Sequence, residues 1–235
     1  MKIMYFKTTL FTATALALGL APAALSQDAL PELDAVEIEP VAYESVTLEA
    51  VESYLNGIQT MRADFTQIAP NGALSQGVFH LQRPGRVRFE YEDDIQILIV
   101  SDGNNINFID YEIGQITRWP ISDTPLALLL DETFEFGANI DISGSGPGNL
   151  ANMATVTTFD PKKPEQGTMT LIFERGENTA NGASVLTLRA WEVVDAQGAL
   201  TQIHLQNSEI NIALNDELWE FDDPRNERFQ RRRKR

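Results

Sequence analysis

The sequence predicts a mainly β domain of about ten short antiparallel strands, with one helix before them and one short helix inserted among them. Apolar and polar residues alternate along a series of short stretches, and Asn-Gly and Asp-Gly pairs separate several of these stretches. With 235 residues, 43% of them hydrophobic, the chain can bury one sizeable core. A sheet of this size curls toward a barrel or half-barrel, so we expect the helices to cover its mouth or concave side.

The N-terminal segment, residues 1–26, has the pattern of a secretory signal peptide. Lys2 and Lys7 form a basic start, residues 8–20 form a short core of apolar and small residues, and small residues precede position 27. A second possible cleavage site follows the small residues at 21–23. The core is short and no stop-transfer pattern follows, so we expect an exported, soluble protein located in the periplasm.

Charge is distributed very unevenly along the chain, whose formal net charge is −16. Residues 225–235 hold seven basic residues and one acidic residue, which leaves 9 basic against 33 acidic residues between the signal and this tail. So acidic a body repels nucleic acid and anionic lipid. The tail is interpreted as a disordered, solvated segment, or alternatively as a weak docking element for an anionic membrane face or an acidic partner.

Two segments lie between the signal peptide and the basic tail at 225–235. Residues 27–43 are acidic with two prolines, which indicates a flexible leader, and residues 44–224 form a single domain without an internal linker or repeat. No cysteine is present, so the core alone must hold the exported domain together.

The domain begins with an amphipathic helix over 45–59, with Ser45 as the expected N-cap and apolar residues at helical spacing: Val46, Leu48, Val51, Tyr54, Leu55 and Ile58.

After this helix the apolar period changes to two, which predicts a meander of antiparallel strands. Pro125 and the leucines that follow it predict a short apolar helix over 124–132, and residues 137–149 are expected to be a glycine-rich loop. The predicted strands lie at 61–69, 73–82, 87–91, 95–103, 105–111, 115–121, 153–159, 168–174, 184–195 and 200–214.

The residue types that carry catalysis or bind metals are sparse or form no recognisable pattern. Only two histidines occur, and His80 has the parity opposite to its apolar neighbours, which indicates a solvent-facing position. No nucleophile, phosphate-loop or metal motif appears. We therefore predict no catalytic residue, no metal and no cofactor, and a protein that is not an enzyme.

One arginine has the parity of an apolar face. Phe79, Leu81 and Val87 occupy odd positions in two successive strands, and Arg83 between them has the same parity and precedes Pro84. A buried guanidinium must find carbonyls or a carboxylate, because leaving it unpaired costs several kcal/mol. Arg83 could therefore hydrogen-bond the carbonyls of a helix that covers the apolar side, as a latch. Alternatively, a bulge at the proline turns it outward to pair with an acid.

Several stretches, taken in order, resemble the LolA family of periplasmic lipoprotein carriers. The resemblance covers about residues 45–224 and rests on the order and spacing of these stretches rather than on one motif. They are "MRADFTQIA", "GVFHLQRPGRVRFEY", "ILIVSDGNNINFID", "TPLALLL" and "DAQGALTQIHLQNSEIN".

The resemblance implies an incomplete antiparallel β-barrel with α-helices lidding its concave apolar face. It implies a carrier, expected to be monomeric, that takes acylated lipoproteins from a LolCDE-like ABC transporter in the inner membrane to a LolB-like outer-membrane acceptor. Arg83, with Pro84, matches the family's arginine that holds the lid closed. Parity and placement give the candidate acyl-cavity residues: Phe79, Leu81, Val87, Phe89, Ile97, Ile99, Phe108, Leu126, Leu129, Leu171 and Trp191.

Two other functions stay open for the same fold. One is a periplasmic sensor or regulatory domain that recognises lipidated or misfolded outer-membrane components. The other is a carrier of free lipid or of another small hydrophobic molecule. A requirement for acylated protein separates a lipoprotein carrier from both.

Overall fold

The first helix, α1, spans Leu48–Asn56 and buries Val51 and Leu55. Its N-cap is Thr47, whose side-chain oxygen accepts a hydrogen bond of 3.2 Å from the backbone nitrogen of Ala50. The expected cap at Ser45 is therefore wrong, because a threonine two residues later satisfies a free N–H of the first turn. The computed structural model describes residues 46–92, 95–135, 140–144, 152–159, 162–176 and 185–226.

Within the described residues, eleven strands follow α1, one more than the sequence predicted. Short turns join most neighbours, and Gly72 and Gly198 adopt positive φ at two predicted turns. The strands are β1 (Thr60–Ile68), β2 (Leu74–Gln82), β3 (Arg86–Tyr91), β4 (Ile97–Ser101), β5 (Asn105–Asp110), β6 (Gln115–Pro120), β7 (Ile140–Gly144), β8 (Met153–Phe159), β9 (Thr168–Arg175), β10 (Leu186–Val194) and β11 (Leu200–Ile210).

The additional strand, β7, lies in the segment predicted to be a glycine-rich loop. It pairs antiparallel with β8, with Ile142 opposite Val156. The prediction was wrong there because two isoleucines alternate with polar residues inside a stretch whose glycine content suggested a loop. The predicted signal peptide, the leader and residues 227–235 of the predicted tail lie outside the described residues.

All described strands belong to one antiparallel sheet of order β6-β5-β4-β3-β2-β1-β11-β10-β9-β8-β7. Pairing of β1 with β11 joins the N-terminal and C-terminal halves at the centre, from Met61 opposite Ile210 to Ile68 opposite Gln202. Within the described part of the chain, β6 and β7 are the two edges, so the sheet is an unclosed half-barrel. The predicted fold class is confirmed.

The core lies on one face of this sheet, which we call the apolar face. Alternate residues of most strands point into it, and α1 and a second helix, α2 (Ala127–Leu130), pack against it. Four large rings meet near its centre: Phe65 and Phe79 each contact Phe89, and Phe79 contacts Trp191 at 5.4 Å between ring centroids. The two helices therefore cover the apolar face at the positions expected for a lid.

The opposite, convex face carries a smaller cluster under the C-terminal segment. Leu98, Val100 and Ile109 are buried there, and Phe221 packs against them. Arg88 holds this segment by donating to the carbonyl oxygens of Leu218 and Glu220 at 3.0 and 3.2 Å. Residues 218–221 thus cover the back of β4 and β5, and the two helices cover the apolar face.

Candidate functional site

The candidate cavity residues lie mostly in one packed cluster rather than around an empty cavity. Seven of the eleven are at most 5% exposed and belong to the core of the apolar face: Phe79, Leu81, Val87, Phe89, Leu129, Leu171 and Trp191. Ile99 and Leu126 are partly buried and pack against that core. Ile97 and Phe108 are half-buried on the same face, and Phe108 contacts the exposed ring of Trp119 instead.

Arg83 lies at the end of β2 and contacts both helices that cover the apolar face. It follows the last residue of β2, and its side chain is only 7% exposed. Nε donates a hydrogen bond of 2.9 Å to the carbonyl oxygen of Leu129 in α2, and Nη1 donates one of 2.8 Å to the carbonyl oxygen of Leu55 in α1. The alternative in which Arg83 turns outward to pair with an acid is therefore wrong.

The local chemistry explains why a guanidinium can be buried here. The last carbonyls of a helix lack intrahelical partners and carry partial negative charge, and Leu55 lies in the last turn of α1. Burial lowers the pKa of Arg83, and the nearby carboxylate of Asp131 opposes that change. Arg83 thus remains a cation, and two of its five N–H donors are satisfied by carbonyl oxygens of the two helices.

The strand β2 ends at Gln82, and the tight turn to β3 contains Pro84. The Arg83–Pro84 peptide bond is cis, and Gly85, which follows, has φ +76° and donates its N–H to the carbonyl oxygen of Leu130 at 2.8 Å. The β2–β3 turn therefore contacts α2 twice, once through the arginine side chain and once through the glycine backbone.

Residues 121–134, which we call the lid segment, cross the apolar face from the end of β6 through α2. Near its start, the carbonyl oxygen of Ser122 accepts hydrogen bonds from Lys163 Nζ at 2.7 Å and Gln166 Nε2 at 2.5 Å. At its end, the main chain of Phe134 makes two hydrogen bonds to the side chain of Asn56 in α1. These contacts could not be predicted from the sequence, because none of these residues stands out by type or spacing.

An open cleft of about 890 Å³ lies along the lid segment. Its lining residues include Ala127, Leu128, Leu130, Lys162 and Pro84. Of the predicted site residues, Pro84 alone lines this cleft, because the rest lie in the core or on the face beside it.

The two histidines lie away from the apolar face. His80 is half-buried on the convex face between Arg62 and Arg88 of the neighbouring strands, and His204 alternates with buried residues of β11. Burial lowers the pKa of His80, both arginines lower it further, and Glu90 opposes them.

The described residues contain no group of three His, Cys, Asp or Glu side chains able to hold a metal ion. None of the helices described is long and apolar enough to cross a membrane.

Fold and site together define an antiparallel half-barrel whose apolar face is covered by two helices joined through a buried arginine. Residues 56–222 match the family model described as "Outer membrane lipoprotein carrier protein LolA". Because the match covers more than half of the chain, the protein belongs to the LolA family, and the resemblance noted in the sequence is confirmed.

Curated relatives agree with this assignment. The chain is similar to an outer-membrane lipoprotein carrier protein of Legionella pneumophila, at 31% identity over 197 residues, covering 78% of this chain and 89% of that protein. A protein of the same description from Methylococcus capsulatus is 29% identical over 191 residues, covering 77% and 86%. A crystal structure of a LolA superfamily protein from Nitrosomonas europaea covers 75% of this chain and 99% of its own at 11% identity, with a TM-score of 0.35, too low to add to the argument.

Proposed function

We propose that this protein is a periplasmic carrier that accepts acylated lipoproteins at the inner membrane and delivers them to the outer membrane. Their acyl chains would bind the apolar face, in room made by displacing the lid segment. The observation that carries this proposal is the burial of Arg83 between the carbonyls of two helices that cover an otherwise apolar core. Membership of the family and the printed names of its relatives support the choice of cargo.

Magnitudes favour acyl chains as the ligand that opens this cover. The helix α2 buries two side chains fully, Leu129 and Leu130, each worth roughly 1.5–3 kcal/mol. An acyl chain contributes about 0.8 kcal/mol of binding free energy for each methylene that becomes buried, so one long chain contributes on the order of 10 kcal/mol. Acyl chains can therefore displace α2 and its hydrogen bonds, whereas a small polar ligand could not.

The hydrogen bonds of Arg83 would make binding reversible. Opening the cover leaves the guanidinium and the carbonyl of Leu129 to find other partners, while the carbonyl of Leu55 also accepts a hydrogen bond of 3.2 Å from Ile58 N. Each buried group left unpaired costs about 1–3 kcal/mol. That cost is subtracted from the affinity for cargo, because the free protein favours the closed state. Arg83, positioned by Pro84, would thus act as a latch that allows release to an acceptor.

The proposal implies partners on both membranes. A LolCDE-like transporter would supply the cargo and a LolB-like acceptor would receive it, with this protein acting as a monomer between them. The predicted signal peptide supports export. The strongly acidic body supports passage between the membranes, since it is repelled by anionic lipid surfaces.

Release from spheroplasts tests the proposal. The purified mature protein is incubated with spheroplasts that produce a lipoprotein, and the complexes in the soluble fraction are analysed by mass spectrometry. We expect triacylated lipoprotein bound to the protein, and none when the cargo's lipidated cysteine is replaced by alanine. Free lipid alone in the complex would indicate a lipid carrier, and an unloaded protein would favour a sensor or regulatory domain; either result would overturn the proposal.

A further inference from the structure

Asn56 and Phe134 join α1 to the end of the lid segment through a pair of hydrogen bonds. Asn56 Nδ2 donates to the carbonyl oxygen of Phe134 at 3.0 Å, and Phe134 N donates to Asn56 Oδ1 at 2.7 Å. The Asn56 amide therefore pairs with both the N–H and the C=O of Phe134, as the backbone of a neighbouring β-strand would. The contact depends on the Phe134 main chain, so it survives replacement of the phenyl ring.

The ring of Phe134 is inserted into the core as a single apolar residue. It is 1% exposed and belongs to the same buried cluster as Leu171 and Trp191. The residues on either side, 131–133 and Glu135, are exposed. A lone aromatic side chain between exposed neighbours fills space in the core without belonging to a helix or strand of its own.

The two partners differ in how they are attached to the sheet. Tyr54, in the same helix as Asn56, accepts a hydrogen bond of 2.9 Å from Leu188 N in β10 and packs edge-on against Phe173 in β9. The lid segment holds only the four-residue α2 and a 3₁₀ turn at Ile121–Asp123. Asn56 thus belongs to a helix that contacts two strands of the sheet directly, whereas Phe134 lies outside any helix or strand at the end of the lid segment.

We infer that the Phe134 ring is a plug that occupies part of the acyl-chain site in the free protein, and that Asn56 is the positioning residue that holds it there. This inference rests on the proposed carrier function. Cargo would expel the ring and take its place, and the two hydrogen bonds of Asn56 would add to those of Arg83 in favouring the closed state. Removing the Asn56 side chain should therefore favour the open state and tighten cargo binding.

The natural absence of cysteine allows a direct test. The Phe134→Cys variant carries one thiol, and its reaction rate with a maleimide reports how often this position is exposed. We expect slow labelling in the free protein and much faster labelling when a synthetic triacylated lipopeptide is bound. Adding Asn56→Ala should accelerate labelling of the free protein about tenfold, since the two hydrogen bonds that hold this position closed are lost.

Two control variants distinguish release of the Phe134 ring from a general destabilisation of the fold. Ser53→Ala changes an exposed position of the same helix and should leave the labelling rate unchanged. A thiol introduced by Ile109→Cys, at a fully buried position of the sheet in the separate cluster on the convex face, should stay protected with and without Asn56→Ala. Fast labelling at that sheet position would mean that Asn56→Ala disrupts the fold, and would overturn the positioning role.

Binding by the otherwise unchanged chain provides the second readout. Asn56→Ala should bind the lipopeptide several-fold more tightly than the parent, whereas a merely structural residue would weaken binding when removed. Slow labelling of the Phe134→Cys thiol in a complex that demonstrably contains lipopeptide would overturn the plug. Failure of the parent protein to bind lipopeptide would instead refute the carrier function, and the labelling rate of Asn56→Ala would still test the contact on its own.

Discussion

Arg83 Nη1 donates a hydrogen bond of 2.8 Å to the carbonyl oxygen of Leu55, a residue 28 positions earlier in the chain. The bond joins the end of β2 to the last turn of α1, and Nε of the same side chain extends the connection to Leu129 in α2. Because both acceptors are main-chain atoms, the contact depends on where the helices lie and not on their side chains. One arginine side chain thereby stabilises the conformation in which both helices cover the apolar face.

We predict that Arg83→Leu retains bound cargo but hands it over poorly. The leucine stem can still pack in the core, while the closed state loses two hydrogen bonds to buried carbonyls, so the open, loaded state becomes relatively more favourable. The measurement is the rate at which lipoprotein passes from the loaded variant to acceptor, compared with the parent protein.

A matched arginine serves as the control for this prediction. Arg86 lies three residues further on, is about 40% exposed and pairs with the exposed Asp216. Arg86→Leu should transfer cargo at nearly the parental rate, because exposed ion pairs contribute at most about 1 kcal/mol. Normal hand-over by Arg83→Leu would refute the latch.

The turn that places Arg83 should be sensitive to one added methyl group. Gly85 has φ +76°, and a Cβ there would lie 2.6 Å from the carbonyl oxygen of Gly103. Gly72 has φ +81° with no atom within 4 Å of the corresponding position. In urea titrations Gly72→Ala should cost about 1–2 kcal/mol from backbone strain alone, and Gly85→Ala clearly more. Equal losses of unfolding free energy in the two variants would contradict this prediction, because the β2–β3 turn would then accommodate the added methyl group without a clash with Gly103.

Core packing beneath the helices should dominate stability. Leu171 is fully buried, so Leu171→Ala is expected to lower the free energy of unfolding by about 2–5 kcal/mol. Leu74 is 68% exposed at the start of β2, and Leu74→Ala should change that free energy by about 0.5 kcal/mol or less. Chemical denaturation of the two variants checks the difference; a small effect at Leu171 would show that the apolar face is loosely packed.

Alkaline pH should destabilise the domain partly through one tyrosine. Burial raises the pKa of Tyr91 to about 12, and its hydroxyl donates to Gln67 Oε1 at 2.7 Å. The folded pKa lies above the unfolded value of about 10, so the contribution to stability is complete below pH 10 and is lost as pH rises toward 12. Between pH 9 and 11 the parent should lose about 1.4 kcal/mol more than Tyr91→Phe. Parallel losses in the two proteins would contradict the assignment.

Most strands of the sheet were predictable because a face-specific burial pattern leaves period-two alternation in the sequence. The β1 stretch shows this: Met61, Ala63 and Phe65 are buried, and the residues between them are not. The strand β7 escaped notice because its short alternation lies among glycines. Local periodicity shows which face of the sheet a residue occupies, but it does not show which distant residue its side chain contacts. The site residues could therefore be predicted by face and not by partner.

The arrangement at Arg83 was only half predictable for the same reason. Parity gave its direction, but its acceptors are backbone carbonyls of segments 28 and 46 residues away, and backbone atoms leave no mark on residue type. The contact between Asn56 and Phe134 gave no signal at all, since an asparagine at a helix end usually serves as a local cap. Whether the candidate residues of the apolar face touch cargo remains a prediction from parity and placement.

The most direct test of the account is a binding titration of the purified mature protein with one purified lipoprotein in its triacylated and non-lipidated forms. The account predicts a stoichiometric complex with the triacylated form and no detectable complex with the non-lipidated form, because affinity comes from acyl chains on the apolar face. Equal binding of both forms would contradict it, since recognition would then lie in the polypeptide and the covered apolar face would be only a core.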